Sequence, residues 1–414
     1  MAAAGLSAVD VAIGVLTLDE RLWLGPNHTW SDLHDESNGS LKPQLWHFQY
    51  VALFTVLALM VRALLDRILF SPLGLMLGVS SAPPAPPPAN RACEELYKSA
   101  KRPSREHVQS AAAALGWTEE RVMRWLKRRK ASADRGKMHK FQEASWRFLG
   151  YASLLVFGVW ALKDTEYFMD TYKCWTNYPH EGIPIRVFWY YMLELAYYTS
   201  LTVSHFTDTK RKDFWEMLIH HIATLALITF SFICKHIAIG SLIMFVHDIA
   251  DPWLELAKAL GYTRVKARSD GGRTWAQIAV EVCFVIFAIS FWITRLYVYP
   301  RFLIYSVWVE SEQAMGLWPF RYAFLALLIT LFFLHIFWSY MIIQVVMRAF
   351  REGQVGGDSR SDDEGDGVLD DNEDAPVVAK QRPNGQPPAV SGGGAADQET
   401  RQRTVPVDRK NGLH

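Results

Sequence analysis

The sequence predicts an all-α polytopic membrane protein of about seven transmembrane helices, with a small cytosolic helical unit and an acidic, disordered tail. Three observations predict it. Seven apolar runs are each long enough, at roughly 17–25 residues, to cross a bilayer as a helix. Lys and Arg gather in alternate connections between those runs, the pattern of cytosolic loops. Two adjacent runs carry His220-His221 and His247-Asp248 with Asp251, and polar groups at that depth are held inside a bundle. Half of the 414 residues are hydrophobic, yet mean hydropathy is only +0.03, because polar segments dilute the apolar runs. Four cysteines, Cys93, Cys174, Cys234 and Cys283, lie far apart with no C-x-x-C pair. That spacing argues against a disulfide framework or a thiolate metal site.

Taken in order, residues 1–44 read as a lumenal leader. Its apolar stretch is short, bracketed by Asp10 and Asp19 and preceded by no basic segment, so it is not expected to be a cleaved signal peptide. The sequons beginning at Asn27 and Asn38 make both residues candidate glycosylation sites. Residues 45–66 form the first span, an uncleaved anchor. A Pro-rich spacer at 83–89 is extended and semi-rigid. Residues 90–132 form a small helical unit rich in Lys and Arg. A domain at 139–350 holds six further spans, near 146–162, 187–205, 214–234, 237–256, 275–296 and 322–346. The 237–256 run is expected to be the least apolar, since it contains His247, Asp248, Asp251 and Glu255. Residues 351–414 have almost no large apolar side chain and are expected to be disordered. There Ser359 and Ser361 precede Asp362-Asp363-Glu364 and are candidate phosphorylation sites.

Orientation follows from charge. Seven spans place every basic segment on one side, the cytosol, with the N-terminus lumenal and the tail cytosolic; six would break the pattern. His220 then lies seven residues in from Asp213, about 10 Å along the helix. Asp251 lies seven residues before Lys258, so the two polar sets meet at one depth in the cytosolic half. His247 and Asp251, four apart, share a face, whereas Asp248 points about 100° away. His220 and His221 diverge by the same angle, so only one is expected to point straight at the site. Pro252 cannot donate to the carbonyl of Asp248 and predicts a kink or an opened turn.

Several chemistries use such a set. Three His and two Asp could ligate iron or zinc, but the H-x-x-x-H and H-x-x-H-H spacings of membrane di-iron hydroxylases are absent. Proton-coupled transport uses intramembrane Asp and His, but the chain shows no inverted repeat or paired Gly/Pro-broken segments. In acyl transfer a histidine serves as general base or nucleophile, with an acid orienting it. A bundle in which His and Asp merely satisfy one another is the remaining reading. Insertion counts against it, at about 2.5–3.5 kcal/mol per central aspartate.

The stretch Arg211-Lys212-Asp213-Phe214 through His220-His221-Ile222-Ala223-Thr224, then Leu242-Ile243-Met244, His247-Asp248-x-x-Asp251 and Leu254-Glu255-x-x-Lys258, resembles the Lag1 motif. That motif belongs to ceramide synthases of the TRAM-LAG-CLN8 (TLC) superfamily. Arg21-Leu22-Trp23-Leu24 with Asn27-x-Thr29-Trp30 resembles the family's leader, and Leu334-His335-Ile336-Phe337-Trp338-Ser339-Tyr340 its last span. The resemblance implies a TLC bundle in the endoplasmic reticulum that transfers a fatty acyl group from acyl-CoA to the amine of a sphingoid base. It implies catalytic roles for His220, His221, His247, Asp248 and Asp251, no bound cofactor or metal, and acyl-CoA as co-substrate. Lys210, Arg211 and Lys212 are placed to meet the CoA head. Ala250, where the family often has serine, and Pro252 depart from the pattern. Partners implied are the bilayer, both substrates and a second synthase in a homo- or heterodimer. A non-catalytic lipid-sensing or translocon-associated relative, or a proton-coupled lipid transporter, would share the spans.

Acyl-chain preference in the family maps to the last lumenal loop, here 299–319, where Glu310, Ser311 and Gly316 resemble long-chain members. Val122-x-x-Trp125-Leu126-Lys127-Arg128-Arg129-Lys130 resembles a homeodomain recognition helix, as in the Hox-like region of animal ceramide synthases. Arg128 stands where DNA-reading homeodomains carry asparagine, so no sequence-specific DNA binding is expected.

Overall fold

The computed structural model describes residues 19–24, 28–34, 43–81, 85–99, 104–133, 136–176, 178–179, 182–209, 211–263 and 274–352. Asn27, Asn38, Lys210, Ser359 and Ser361 lie outside the described residues. The chain divides into two units, Met1–Gly365 and Asp366–His414, the second wholly outside the described residues.

Every regular element among the described residues is helical. Helix α1, Leu45–Met76, is followed by a three-helix unit of α2 (Arg91–Ser99), α3 (Arg105–Leu115) and α4 (Glu119–Ala133). The bundle continues with α5 (Gly136–Leu162), α6 (Ile185–His205), α7 (Phe214–Ile233), α8 (Ile237–Asp248) and α9 (Asp251–Gly261). It closes with α10 (Trp275–Met315) and α11 (Arg321–Glu352). By length and apolar composition six segments can cross a membrane: α1, α5, α7, α8 with α9, α10 and α11. Among these described segments the fold is that of a multi-pass membrane protein.

Helix α6, the predicted span at 187–205, is the one of the seven that is not apolar enough to count among them. The expectation that 237–256 would be least apolar is therefore corrected. The reason is position: α6 packs against α1, α5, α7 and α8, at the centre of the bundle. Its Tyr190, Tyr191, Tyr197, Tyr198, Glu194 and Ser200 are buried against protein rather than lipid. Each tyrosine hydroxyl finds a neighbour, among them Ser231 for Tyr191 and the Arg147 carbonyl for Tyr197. A helix with protein on all sides can carry polar atoms that lipid would not tolerate.

The predicted loop at 299–319 is also corrected, because α10 runs on through Met315. Its 41 residues would span about 60 Å, twice the hydrocarbon thickness. Pro300 does not end it; the backbone widens into π-type turns over Trp292–Ile304 and Ser306–Glu310, which absorb the missing N–H. Gly316, with φ of 82°, takes a positive-φ conformation that glycine adopts readily, and the helix ends there. Thr274 opens α10 by a reciprocal cap, its Oγ1 accepting from Gln277 N while Gln277 Oε1 accepts from Thr274 N.

The three-helix unit has its own core of Cys93, Leu96, Val108, Ala112, Val122, Trp125 and Leu126. Asn90, Ser104 and Thr118 cap its helices, and Trp125 Nε1 donates to the Pro88 carbonyl at 2.8 Å, tying the unit to its spacer.

Candidate functional site

Pro252 breaks the Ile237–Gly261 segment as its chemistry requires. Helix α8 stops at Asp248 and α9 starts at Asp251. At this break the carbonyl of His247, one residue before the one Pro252 leaves unserved, accepts from Arg295 Nη2 at 2.6 Å, and the same nitrogen donates to Asp251 Oδ1 at 2.9 Å. Arg295 Nη1 lies 3.3 Å from His335 Nε2. The His247 and His335 rings stand 5.0 Å apart, both against Tyr299. Arg295 and His335 thus join α10 and α11 to the broken helix. Sequence reasoning assigned neither of them a role, although His335 stood in the motif of the last span.

Two cavities meet at this cluster. The larger, about 310 Å³, opens toward the ends of α5, α7 and α9 that carry Lys and Arg, here called the basic face. Its polar wall includes Arg147, His205, Asp208, Arg211, Asp251 and Lys258. Its apolar wall is Phe284, Phe287 and Phe291 of α10 with Trp338, Ile342 and Val345 of α11. The smaller, about 40 Å³, is a narrow greasy cavity, here called the tunnel, lined from His220 past Thr224, Leu227, Ile243 and Leu328 to the buried Trp175, His236 and Trp318. Among the described residues only His220 lines both. Its ring stands edge-on to Trp338 at 5.3 Å, and its Nδ1 has no hydrogen-bond partner.

The sequence-predicted residues are placed as follows. His220 and His221 both line the chamber, so the expected divergence does not take either out of it; His221 Nδ1 is likewise without a hydrogen-bond partner. His247 lines the tunnel, its Nδ1 2.7 Å from the Ile243 carbonyl oxygen. Asp251 lines the chamber, fixed by Arg295. Asp248 lines neither cavity. It is fully buried, accepting from the hydroxyls of Tyr190 and Tyr198 at 3.4 and 3.5 Å, on the side where Glu194 of α6 is equally buried. Glu194, its carboxylate oxygens without hydrogen-bond partners, was signalled by an acid in the middle of the 187–205 run. Arg211 lines the chamber mouth; Lys212 does not. Glu310 and Ser311 sit in α10, Ser311 Oγ accepting from Trp318 Nε1 at 3.4 Å at the tunnel's end.

His139, Glu143 and Asp208 stand close enough to hold a metal ion. Their ligand atoms are already engaged: both Asp208 oxygens by Arg62 and Arg147, and Glu143 Oε1 by Thr209 and His139. A divalent cation there would sit between two guanidinium groups, so the set is an ion-pair cluster in chemical terms.

A family profile described as the TLC domain matches residues 140–344, which hold every residue of both cavities apart from Val345 of the chamber. Ceramide synthase 5 of Homo sapiens is 33% identical over 344 residues, 83% of this chain and 85% of that protein. Ceramide synthase 4 of Bos taurus is 34% identical over 381 residues, covering 89% and 92% of the two chains. Ceramide synthase 3 of Mus musculus is 33% identical over 347 residues, 83% and 87%. With such coverage at this identity, and with both cavities built inside the matched domain, the chain belongs to the ceramide synthase family of TLC-domain membrane proteins.

Proposed function

We propose that the protein is an acyl-CoA-dependent N-acyltransferase that makes ceramide or dihydroceramide from a sphingoid base in the endoplasmic reticulum, with its basic face toward the cytosol. The observation that carries this reading is that His220, alone among the described residues, borders both a polar chamber and an apolar tunnel. A thioester of a long acyl chain has that division built in: its tail suits the tunnel, its anionic carrier the chamber, and the reacting carbonyl then lies at His220.

A single chamber must receive both the CoA portion and the acceptor amine, which favours a stepwise reaction. A ring nitrogen of His220 attacks the thioester carbon; the C–S bond breaks, and the thiolate leaves with the proton released from the ring. The amine next attacks the acyl-imidazole, the C–N bond to the ring breaks, and the ring nitrogen takes the proton the amine gives up. Arg295 holds Asp251 and the α8 end in place beside this exchange. Acyl-CoA is a co-substrate, and the scheme calls for no bound cofactor or metal.

Purified protein given a sphingoid base and a panel of acyl-CoAs is expected to form N-acyl products. Without the acceptor, intact-protein mass spectrometry is expected to show one added acyl group, absent in His220→Ala. Substituting His220 and His221 together by Ala should lower turnover by about 10³-fold or more while the protein stays folded. Retained turnover in that double variant would remove the assignment.

A further inference from the structure

We propose that Arg147 is the anchor for a phosphate of the CoA moiety, and that Arg62 of the first span frees it for that task by holding Asp208. The inference rests on the acyl-CoA reading above. Arg147 lines the chamber mouth with Arg211, Lys258 and His205. It donates from Nη2 to Asp208 Oδ2 at 2.7 Å. Asp208 is buried, and its other oxygen accepts from Arg62 Nη2, also at 2.7 Å. Arg62 does not line the chamber, and it belongs to α1, which precedes the matched domain.

Each carboxylate whose charge acts on Arg147 has a donor other than Arg147. Asp208 has Arg62. Glu143 accepts from the backbone N and Oγ1 of Thr209 at 2.8 and 3.0 Å, with His139 Nε2 at 3.0 Å. Glu255 takes Lys258 Nζ at 2.6 Å. Two guanidinium groups therefore serve one aspartate, and of the two only Arg147 reaches the chamber. An arriving phosphate can engage Arg147 without stripping a buried carboxylate of its counter-charge, which is the costly outcome for such pairs. The planar guanidinium also suits a phosphate, to which it can donate two parallel hydrogen bonds.

The test measures the Kd of free coenzyme A for the full-length protein in phosphatidylcholine nanodiscs. Arg147→Gln is expected to weaken binding about tenfold or more, and Arg147→Lys, which keeps the charge but loses the fork, by less. Arg62→Gln alone is expected to weaken it several-fold, because Arg147 is then the sole partner of Asp208. Adding Asp208→Asn in that background should restore affinity to within about twofold of wild type, since the freed Arg147 regains its ligand. If Arg62 merely braces α1, the double variant will bind no better than Arg62→Gln. Unchanged affinity in Arg147→Gln, or no recovery in the double variant, overturns the proposal. The activity itself stands or falls separately, on whether the wild-type protein N-acylates a sphingoid base.

Discussion

Arg295 shows how a single residue holds the site. It is buried at membrane depth, where a lone guanidinium costs about 2.5–3.5 kcal/mol on insertion scales. Two close acceptors, the His247 carbonyl and Asp251, offset that cost. Arg295→Leu leaves the Asp251 charge without its partner and is expected to destabilise the fold by about 3–5 kcal/mol. Adding Asp251→Asn should recover part of the loss, both read as thermal unfolding in detergent. The histidines and Asp251 were legible in the sequence because a polar group in an apolar run announces itself. Arg295 was not, since it fell at the edge of the 275–296 run, where an arginine ordinarily reaches for the interface. That Asp248 points about 100° away from His247 and Asp251 was also legible, but not that Tyr190 and Tyr198 of α6 would meet it there.

At the scale of elements, Pro252 was the most readable feature, because a missing N–H leaves the backbone little choice. The continuation of α10 past Pro300 was not readable: aromatic and charged residues at 297–312 look like a loop, and the π-type turns that keep them helical follow from packing against α8 and α11. That extension closes the tunnel, bringing Ser306 to Trp175 at 2.8 Å and Ser311 to Trp318. Trp318→Phe is expected to lengthen the tunnel and shift product toward longer acyl chains, measured across the acyl-CoA panel. An unchanged profile would separate the tunnel's end from chain selection. In the three-helix unit, the Arg129 guanidinium hydrogen-bonded to Glu94 holds that carboxyl below its usual value. Its contribution to the unit is therefore complete above the ordinary glutamate pKa and is lost as pH falls through the lowered one. In circular dichroism of the full chain, Glu94→Gln should flatten the acid limb of the unit's unfolding.

For the whole molecule, the alternation of basic and apolar segments made the bundle legible, and the family resemblance followed from motifs that the fold brings into one place. Six apolar segments with α6 at the centre explain why a count by hydropathy alone differs from a count by topology. The contact between α1 and the chamber mouth was not legible: an Arg62 near the end of an apolar run has no sequence mark tying it to Asp208, 146 residues away. One further consequence belongs to the ring that borders both cavities. Under the proposed stepwise reaction, a carrier-bound tail passes His220 to enter the tunnel and the amine follows once the carrier has gone, which sets an order of events. Double-reciprocal plots of rate against acyl-CoA at several sphingoid-base concentrations should therefore be parallel, and excess base should compete with acyl-CoA for the empty chamber. Intersecting lines would mean that both substrates wait inside together.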